Sequence, residues 1–502
     1  MQELEESRQT LTMSADMLKN QLAKVHEELQ RHAAIIADEE DKQVRPLPRG
    51  RGREPSSSTR PRTFNHDRTC TQRVSANAAG YCEIEDVHTQ ERFRVMETSC
   101  DTLRSVAHMS CADAPRFANF SVRANELLYQ QNQQKQQPSL PNQQSRGIVM
   151  VVYPKMLPSA YATLRTLRRL ACALHVELWY SPRELQDPAT HPIVHAMVSQ
   201  YGPVTLRAIE DANVRGFTTK IHAIRHSAFD HVLFLDADNV PVKDPMYLFT
   251  LPQYEATGAL FWPDFWHPDH TIFAVHNRSL VWEYLDLPFI DMFEQESGQL
   301  VVDKTRSQKA LAMLELLAFH QPNLLENFKI VHGDKDLFRL AWLKSNSSFH
   351  MVNHPPAVAG NVLGDMFCGQ TMAQLDPNGE LLFLHRNARK LRGRHAKTAA
   401  PGYMDAVRVA RTPTETEVDP EIWTHLQQFK PTATRAEYTI EIYKGSARFP
   451  ANQWCYGKPS LATPHFDTVP FADLPARAIE TEIIAYAVEA TDLLRDAARV
   501  ER

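Results

Sequence analysis

From residue 147 onward, apolar runs alternate with longer amphipathic stretches, which is the pattern of strands followed by helices. The apolar runs predict buried strands at 147–153, 175–180, 205–209 and 231–236, and the stretches between them predict helices at 159–174, 188–200 and 217–228. Strands separated by helices of this length predict parallel β-α units, in which ligands bind at the carboxyl ends of the strands. The predicted fold class of this part is therefore α/β.

Residues 1–42 carry a heptad repeat of apolar residues. The two seams consist of Leu4, Leu11, Leu18 and Val25, and of Ala15, Leu22, Leu29 and Ile36. The pattern predicts a coiled-coil stem that joins copies of the chain into a homo-oligomer. A single amphipathic helix is the alternative, because the second seam begins with Arg8.

Composition divides the rest of the chain into further segments. Residues 43–65 are rich in Pro and Arg and predict a disordered basic linker, and residues 130–146 contain eight glutamines and predict a second linker. Between these linkers, residues 66–129 carry four cysteines and are predicted to be a small helical segment. The regular alternation defines an α/β domain at 147–400, and residues 401–502 predict a C-terminal extension that packs on it, with an apolar helical face at 475–494.

The charge balance excludes one class of partner. Across 502 residues, 55 Lys and Arg face 60 Asp and Glu, which leaves a net charge of −5. Nucleic-acid binding is not predicted, because no excess of basic residues is present to follow a phosphate backbone. No apolar run approaches the ~18 residues of a membrane helix, and the N-terminus is polar, so the sequence predicts neither an anchor nor a signal peptide.

The seven cysteines favour no metal-binding motif, since no CxxC pair occurs. Four of them lie within 70–111, where two disulfides are feasible in an oxidising compartment; four buried thiols are the alternative. Glycosylation triplets at Asn119, Asn277 and Asn346 favour a secretory lumen.

The most informative stretch is FDHVLFLDADNVPVKDPMYLF at 229–249. Asp236 and Asp238 follow its apolar strand at the point where the chain leaves the sheet, and alternate residues of an extended chain project the same way. Two carboxylates about 5 Å apart repel each other by ~3 kcal/mol at an effective dielectric near 20. A divalent cation, a basic neighbour or protonation would offset this repulsion, and hard oxygen ligands favour Mg²⁺ or Mn²⁺. A solvated turn is the alternative interpretation.

Basic side chains and a histidine elsewhere in the chain fit such a site. Lys220 lies on the helix that leads into the strand, where it is either a phosphate ligand or a solvated lysine. The segment FLHRNARKL at 383–391 starts as an apolar strand that ends in His385, which is followed by Arg386, Arg389 and Lys390. This histidine is either structural or completes a metal–diphosphate cage together with the three cations. P-loop, dinucleotide-binding and zincin motifs do not occur.

Seven segments in this order resemble glycosyltransferase family 71, the fungal-type Golgi α-mannosyltransferases. They are GIVMVVY, TLRTLRRLACALHVELWY, GFTTKIHAIRHSAFDHVLFLDADNVPVKDPMYLF, LFWPDFW, ESGQLVVDK, GDKDLFRLAW and FLHRNARK. The resemblance covers roughly residues 147–392 and includes neither the heptad repeat nor the cysteine-bearing segment.

The resemblance implies a GT-A fold, which is one Rossmann-like α/β domain that binds a nucleotide-diphospho-sugar. It implies GDP-mannose as the donor, a glycan or glycoprotein as the acceptor, Mn²⁺ (or Mg²⁺) as the metal, and retention at the anomeric carbon. Asp236, Asp238 and His385 are the implied metal ligands, and Lys220, Asp236 and Lys390 are the implied donor contacts. It also implies residence in the Golgi lumen or membrane, although the sequence itself predicts no anchor.

Sugar transfer builds positive charge on the sugar, which a carboxylate or amide near the anomeric carbon stabilises. The candidates are Asp264, Glu296, Gln299, Asp334 and Asp336. The sequence shows no nucleophile, so a front-face mechanism in which the departing phosphate acts as base stays open. Trp262 and Trp266 flank the first candidate, and they either stack on sugar rings or belong to the core.

Two other functions compete with this hypothesis. In a phosphotransferase of the haloacid-dehalogenase type, Asp236 would be the nucleophile and Asp238 the general acid. That motif belongs on the first strand of its domain, whereas three β-α units precede it here. The second rival is a coiled-coil scaffold that carries an inactive transferase domain.

Overall fold

The computed structural model describes strands at 73–74, 82–85 and 92–95, and residues 109–133, 145–273, 275–396, 416–446, 449, 454–461 and 463–500. The predicted coiled coil (1–42) and basic linker (43–65) lie outside the described residues. Among the residues that the structure describes, no helix combines the length and the apolar character of a membrane-crossing segment.

The cysteine-bearing segment contains strands as well as a helix, which corrects the helical prediction for 66–129. Its elements are β1 (Arg73–Val74), β2 (Cys82–Glu85), β3 (Arg92–Val95), β4 (Met109–Ser110) and α1 (Ala114–Gln133). The sequences CEIE and RFRV alternate apolar and polar residues, and this period of two suits their antiparallel pairing. Helix α1 continues into the predicted linker at 130–146, because its apolar face packs in the core: Phe120 stacks on Tyr284 with ring centroids 4.2 Å apart.

The parallel β-α units follow as predicted. They consist of β5 (Arg146–Val152), α2 (Leu157–Arg169), β6 (His175–Tyr180), α3 (Pro192–Gln200), β7 (Val204–Ala208), α4 (Thr218–His226) and β8 (His231–Leu235). Every residue of β8 is buried, which is why this strand reads as a continuous apolar run.

The next elements along the chain are helices, three further strands of the first sheet and one short strand that pairs outside it. These are β9 (Asn239–Pro241), α5 (Pro252–Thr257), β10 (Ala259–Pro263), α6 (Leu280–Leu285), β11 (Gln295–Asp303), α7 (Gln308–Phe319), α8 (Leu324–Asn327), α9 (Lys335–Lys344) and β12 (His350–Met351). The sheet has the order β12-β10-β11-β8-β5-β6-β7, in which β7, β6, β5 and β8 are parallel. The chain order of the parallel strands reverses between β5 and β8, and such a switch point is where open α/β sheets bind ligands. The predicted α/β class with a Rossmann-like parallel sheet is confirmed.

A second, antiparallel sheet lies downstream. The elements in this part of the chain are β13 (Ala357–Leu363), β14 (Met366–Leu375), β15 (Leu381–His385), β16 (Arg394–Ala396), β17 (Thr416–Val418), β18 (His425–Phe429), β19 (Glu441–Lys444), β20 (Trp454–Gly457), β21 (Phe466–Pro470) and α10 (Ile479–Val500). Among the strands that the structure describes, β16 and β17 pair only with each other. The order is β19-β20-β14-β13-β18-β21, and β15 pairs with both β14 and β9. Residues 401–502 therefore supply strands to the same sheet as residues before 400.

Packing and a disulfide connect residues 401–502 to the α/β domain at 147–400. In α10, Ile479, Ile483 and Ala487 are buried in one cluster with Ala162 of α2. A disulfide joins Cys368 of β14 to Cys455 of β20.

Two other cysteines that the structure describes differ in their bonding state. Cys172 is a buried free thiol, and Cys111 is disulfide-bonded. The prediction of two disulfides within 70–111 otherwise concerns side chains outside the described residues.

Candidate active site

The acidic motif is placed by the two strands that flank it. The Asp236 N–H donates to the Gly298 carbonyl of β11 at 2.8 Å, and the Asn239 N–H donates back to the Asp236 carbonyl at 3.0 Å, which closes a turn directly after β8. Asn239 begins β9, whose register sets it opposite His385 of β15. This pairing within the second sheet brings together residues that are nearly 150 positions apart in the sequence.

Asp236, Asp238 and His385 form a cluster of metal-ligand type. One ligand atom from each residue lies within 4.8 Å of the others. His385 Nε2 is 3.4 Å from Asp238 Oδ1 and 3.9 Å from Asp236 Oδ2. Two carboxylates and an imidazole that converge at the carboxyl end of a strand suit Mn²⁺ or Mg²⁺, with further positions left for phosphate oxygens.

The pKa values of the two aspartates shift in opposite directions because their charged neighbours differ. Burial raises the pKa of Asp236 to about 6, although Lys220 and His385 act against this rise. Burial also acts to raise the pKa of Asp238, but His385 and Lys390 outweigh it and hold that pKa well below its usual range. Burial lowers the pKa of His385, and the charge of Asp238 more than compensates, so its pKa is raised. The site therefore holds one firmly ionised carboxylate beside one that protonates easily.

A lysine lies on each side of the motif. Lys390 Nζ contacts Asp238 Oδ2, and its side chain is 43% exposed, so it remains accessible to a ligand. Lys220 is buried and its Nζ lies 3.3 Å from Asp236 Oδ2, 3.0 Å from Asp334 Oδ2 and 2.9 Å from the Ser297 carbonyl. Burial lowers the pKa of Lys220, but the charges of Asp236 and Asp334 outweigh it, and the pKa is raised.

Gly298 allows His385 to lie against β11. A Cβ added to Gly298 would come within 2.6 Å of His385 Nδ1, so only glycine fits under the imidazole. Beside it, Glu296 Oε1 accepts from the Ser297 and Gly298 N–H groups at 3.0 and 2.8 Å, and it lies 3.7 Å from His385 Nδ1. Glu296 is thus placed next to the histidine.

The other predicted catalytic residues have structural partners. Gln299 Oε1 accepts from Asn239 Nδ2 at 2.5 Å. Asp264 Oδ2 contacts the Lys335 ammonium, and both groups are largely buried. Asp336 is paired with Arg339 at 2.6 Å and caps the Gln295 N–H at 3.1 Å, so its described contacts connect α9 to β11.

Burial and an ion pair decide between two further sets of alternatives. Trp262 and Trp266 are 0% and 3% exposed, which favours the core alternative for both. Arg386 pairs with Glu480 of α10 at 2.6 Å, so it fastens that helix instead of joining the cation cluster.

Sequence reasoning did not identify Ser297, Lys335 or Gly298 as parts of the site. Ser297 Oγ donates to Asp334 Oδ2 at 3.0 Å and lies 3.1 Å from Lys220 Nζ. The only available signal was the glycine inside ESGQ, because a glycine within a strand often marks a close approach by another group. The buried ion pair between Lys335 and Asp264 connects the motifs GDKD and FWPDFW, which are distant in the sequence, so no local pattern predicts it.

Comparison with known proteins identifies the segment that carries this cluster. Residues 145–376 match the family model described as "Mannosyltransferase putative". This segment is similar to the mannosyltransferases of glycosyltransferase family 71. The resemblance found in the sequence motifs is thereby confirmed.

Two curated relatives are both named alpha-1,2-mannosyltransferases. Alpha-1,2-mannosyltransferase MNN2 of Saccharomyces cerevisiae is 28% identical over 46% of this chain and 45% of its own length. Alpha-1,2-mannosyltransferase MNN23 of Candida albicans is 25% identical over 48% of this chain and 47% of its own. The chain thus spans less than half the length of these curated relatives.

A solved galactosyltransferase, LgtC with donor and acceptor sugar analogs, also aligns with the structure. The alignment covers 41% of this chain and 73% of the other, at 12% identity and a TM-score of 0.30.

Neither rival function is favoured by these findings. The D-x-D motif follows β8, the fourth parallel strand along the catalytic segment, whereas a haloacid-dehalogenase motif belongs on the first strand. In an inactive scaffold, nothing would require two carboxylates and a histidine to converge within 4.8 Å.

Proposed function

We propose that the protein is a metal-dependent α-mannosyltransferase that moves mannose from GDP-mannose to a glycan or glycoprotein acceptor with retention at the anomeric carbon. The observation that carries the proposal is the convergence of Asp236, Asp238 and His385 at the switch point of the parallel sheet, inside the family segment. Nucleotide-sugar transfer needs a diphosphate bound at that edge, and this cluster together with two lysines supplies the ligands.

Asp236, Asp238 and His385 would hold Mn²⁺ or Mg²⁺. When bound, such an ion stabilises the negative charge that develops on the departing diphosphate. Lys390 is the protein's own contribution on this side, since its half-exposed ammonium already contacts Asp238 and can also reach a phosphate oxygen. Each ~1.4 kcal/mol of stabilisation gained in the transition state is tenfold in rate.

The mannose would lie on the other side of the cluster, near Lys220, Ser297 and Asp334. These groups form a hydrogen-bonded set of fixed geometry and can orient sugar hydroxyls. Among the predicted carboxylates, Asp334 is the one that shares Lys220 with Asp236, whereas Asp264 and Asp336 are each paired with another buried cation. We therefore assign Asp334 the stabilising role near the anomeric carbon, with the departing phosphate acting as the base.

Residence in the Golgi lumen is part of the proposal. The Cys368–Cys455 disulfide supports it, because structural disulfides persist in oxidising compartments such as the secretory pathway. Self-association through residues 1–42 stays a prediction.

The decisive experiment incubates the full chain with GDP-mannose, Mn²⁺ and simple mannosides, and determines the linkage and anomeric configuration of the product. Transfer is expected with Mn²⁺, loss of transfer with EDTA, and at least about a hundredfold loss for Asp238→Asn. Asp365→Asn, at an exposed turn, is the matched control and should remain active.

Three outcomes would contradict parts of the proposal. Hydrolysis of a phosphate ester without mannose transfer would favour the phosphotransferase. Transfer only from a UDP-hexose would overturn the donor assignment. Unchanged cellular glycans after Asp238→Asn, together with no activity in vitro, would favour the scaffold.

A further inference from the structure

A cavity of about 1,020 Å³ opens beside the proposed sugar site. Its walls are the loop and first turn at 211–218, the end of α7, and the segment from α8 to the start of α9. This volume is at the upper end of the range for small-molecule sites, so the cavity is large enough to hold a ligand. The metal cluster and its two neighbouring lysines do not account for a cavity at this position.

One lysine connects this cavity to the acidic motif. Asp334 lines the cavity, and its Oδ2 lies 3.0 Å from Lys220 Nζ, which in turn lies 3.3 Å from Asp236 Oδ2. Lys390, in contrast, contacts Asp238. The cavity is thus connected to the cluster through Lys220 and Asp236, whereas the cation that is proposed to meet the phosphate contacts the other aspartate.

The charges of the lining suit an uncharged polar ligand. Asp211, Glu326 and Asp334 contribute negative charge, and Arg215 and Lys329 contribute positive charge. A phosphate-bearing group would prefer a clear excess of cations, whereas carboxylates accept hydrogen bonds readily from hydroxyl groups.

An exposed aromatic ring completes the arrangement. Phe217 lines the cavity with 65% of its surface exposed, which is unusual for so large an apolar side chain. Its ring lies against Gly333, where an added Cβ would be 3.3 Å from the ring, and Gly333 directly precedes Asp334. An apolar ring face beside a hydrogen-bonding carboxylate matches a sugar, which has an apolar C–H face and hydroxyls at its edge.

We infer that this cavity binds the saccharide acceptor, with Phe217 as the stacking surface and Asp334 at the boundary between acceptor and donor sugar. The inference rests on the proposed function and adds a site that the metal cluster does not specify. It places the acceptor hydroxyl on the Asp334 side of the donor sugar and the nucleoside near Lys390 and the carboxyl end of β5, where the order of the parallel strands reverses.

The test measures binding of an α-linked mannobiose to the full chain in the presence of GDP and Mn²⁺, by calorimetry. Phe217→Ala is expected to weaken this binding about tenfold, the scale of one aromatic contact, and Phe217→Tyr to restore it. Ala212→Trp, which places bulk in the cavity from an exposed loop, is expected to weaken it as well. Trp454→Ala is the matched control, since Trp454 is 62% exposed and does not line the cavity.

GDP affinity with Mn²⁺, measured on the same variants, separates the alternatives. Unchanged GDP affinity together with weaker mannobiose binding supports the acceptor site. If Phe217→Ala and Ala212→Trp weaken GDP binding instead, the cavity belongs to the nucleoside; if the wild-type chain does not bind mannobiose, or binds it as tightly as both variants, the inference is overturned. A chain that binds mannobiose in this cavity but never binds GDP leaves the saccharide site standing and refutes the proposed donor.

Discussion

Replacing Asp236 with Asn is expected to stabilise the metal-free protein at neutral pH. Burial raises the pKa of this carboxyl from 3.8 to about 6 in spite of Lys220 and His385. Because the folded state then binds the proton more tightly than the unfolded state, the contribution of the carboxyl to stability is fully present below pH 3.8 and is lost as the pH rises through 6. The difference, 6 − 3.8 = 2.2, corresponds to ~3 kcal/mol at pH values above both pKa values. Asparagine carries no charge and avoids this loss.

Urea unfolding in EDTA measures the effect for the wild type, Asp236→Asn and the exposed control Asp365→Asn. At about pH 7.5 the Asp236 variant should be more stable by ~3 kcal/mol, and at about pH 4 by less than ~1 kcal/mol, since the wild-type carboxyl is then protonated when folded. Mn²⁺ should stabilise the wild type and leave the variant unchanged, because the ion binds the native carboxylate. An Asp236 variant that is no more stable than the wild type at pH 7.5, or equally stabilised at both pH values, would refute this account of the site.

Three further predictions concern other contacts. Lys390→Met should lower kcat/KM for the donor about 10- to 100-fold and Lys390→Arg much less, because a cation is lost from the diphosphate; equal losses in steady-state kinetics would contradict a charge role. Asp264→Asn and Lys335→Met should each reduce the free energy of unfolding by about 3–5 kcal/mol, since either replacement leaves a buried charge unpaired. The double replacement Asp264→Leu with Lys335→Met should reduce the free energy of unfolding by much less than the sum of the two single effects. Replacing Cys368 and Cys455 with Ser should reduce stability by about 4.5 kcal/mol for a separation of 87 residues, measured by thermal unfolding. Dithiothreitol should then lower the melting temperature of the variant less than that of the wild type, since Cys111 is disulfide-bonded as well.

The parallel strands were predictable because their apolar runs are local signals. Strand β8 is buried throughout, and burial on both faces of a parallel sheet demands the unbroken run HVLFL. The segment 66–129 was less predictable, because two short strands of four residues each carry little periodic information beside a helix of 20 residues. Its helix also extends to Gln133, into the first residues of the stretch for which composition indicated a linker.

The candidate site shows the same division. Asp236 and Asp238 are close in sequence, and their position after β8 follows from the strand itself. That His385 joins them, that Lys220 reaches Asp334, and that Arg386 turns away to Glu480 depend on contacts between distant segments. Residue type alone could not separate these cases, because a basic residue near the motif in sequence can be held by a helix from the end of the chain.

By itself, the sequence determined the alternating α/β framework, the acidic pair at the end of its fourth parallel strand and the resemblance of the segment around it to a known family, because each depends on motifs of residues a few positions apart. Only the tertiary structure decided which side chains meet that pair. The pairing of β9 with β15, the close approach allowed by Gly298 and the cavity beside Phe217 each bring together segments that are distant in the sequence, and their packing depends on the whole buried surface and on no single motif.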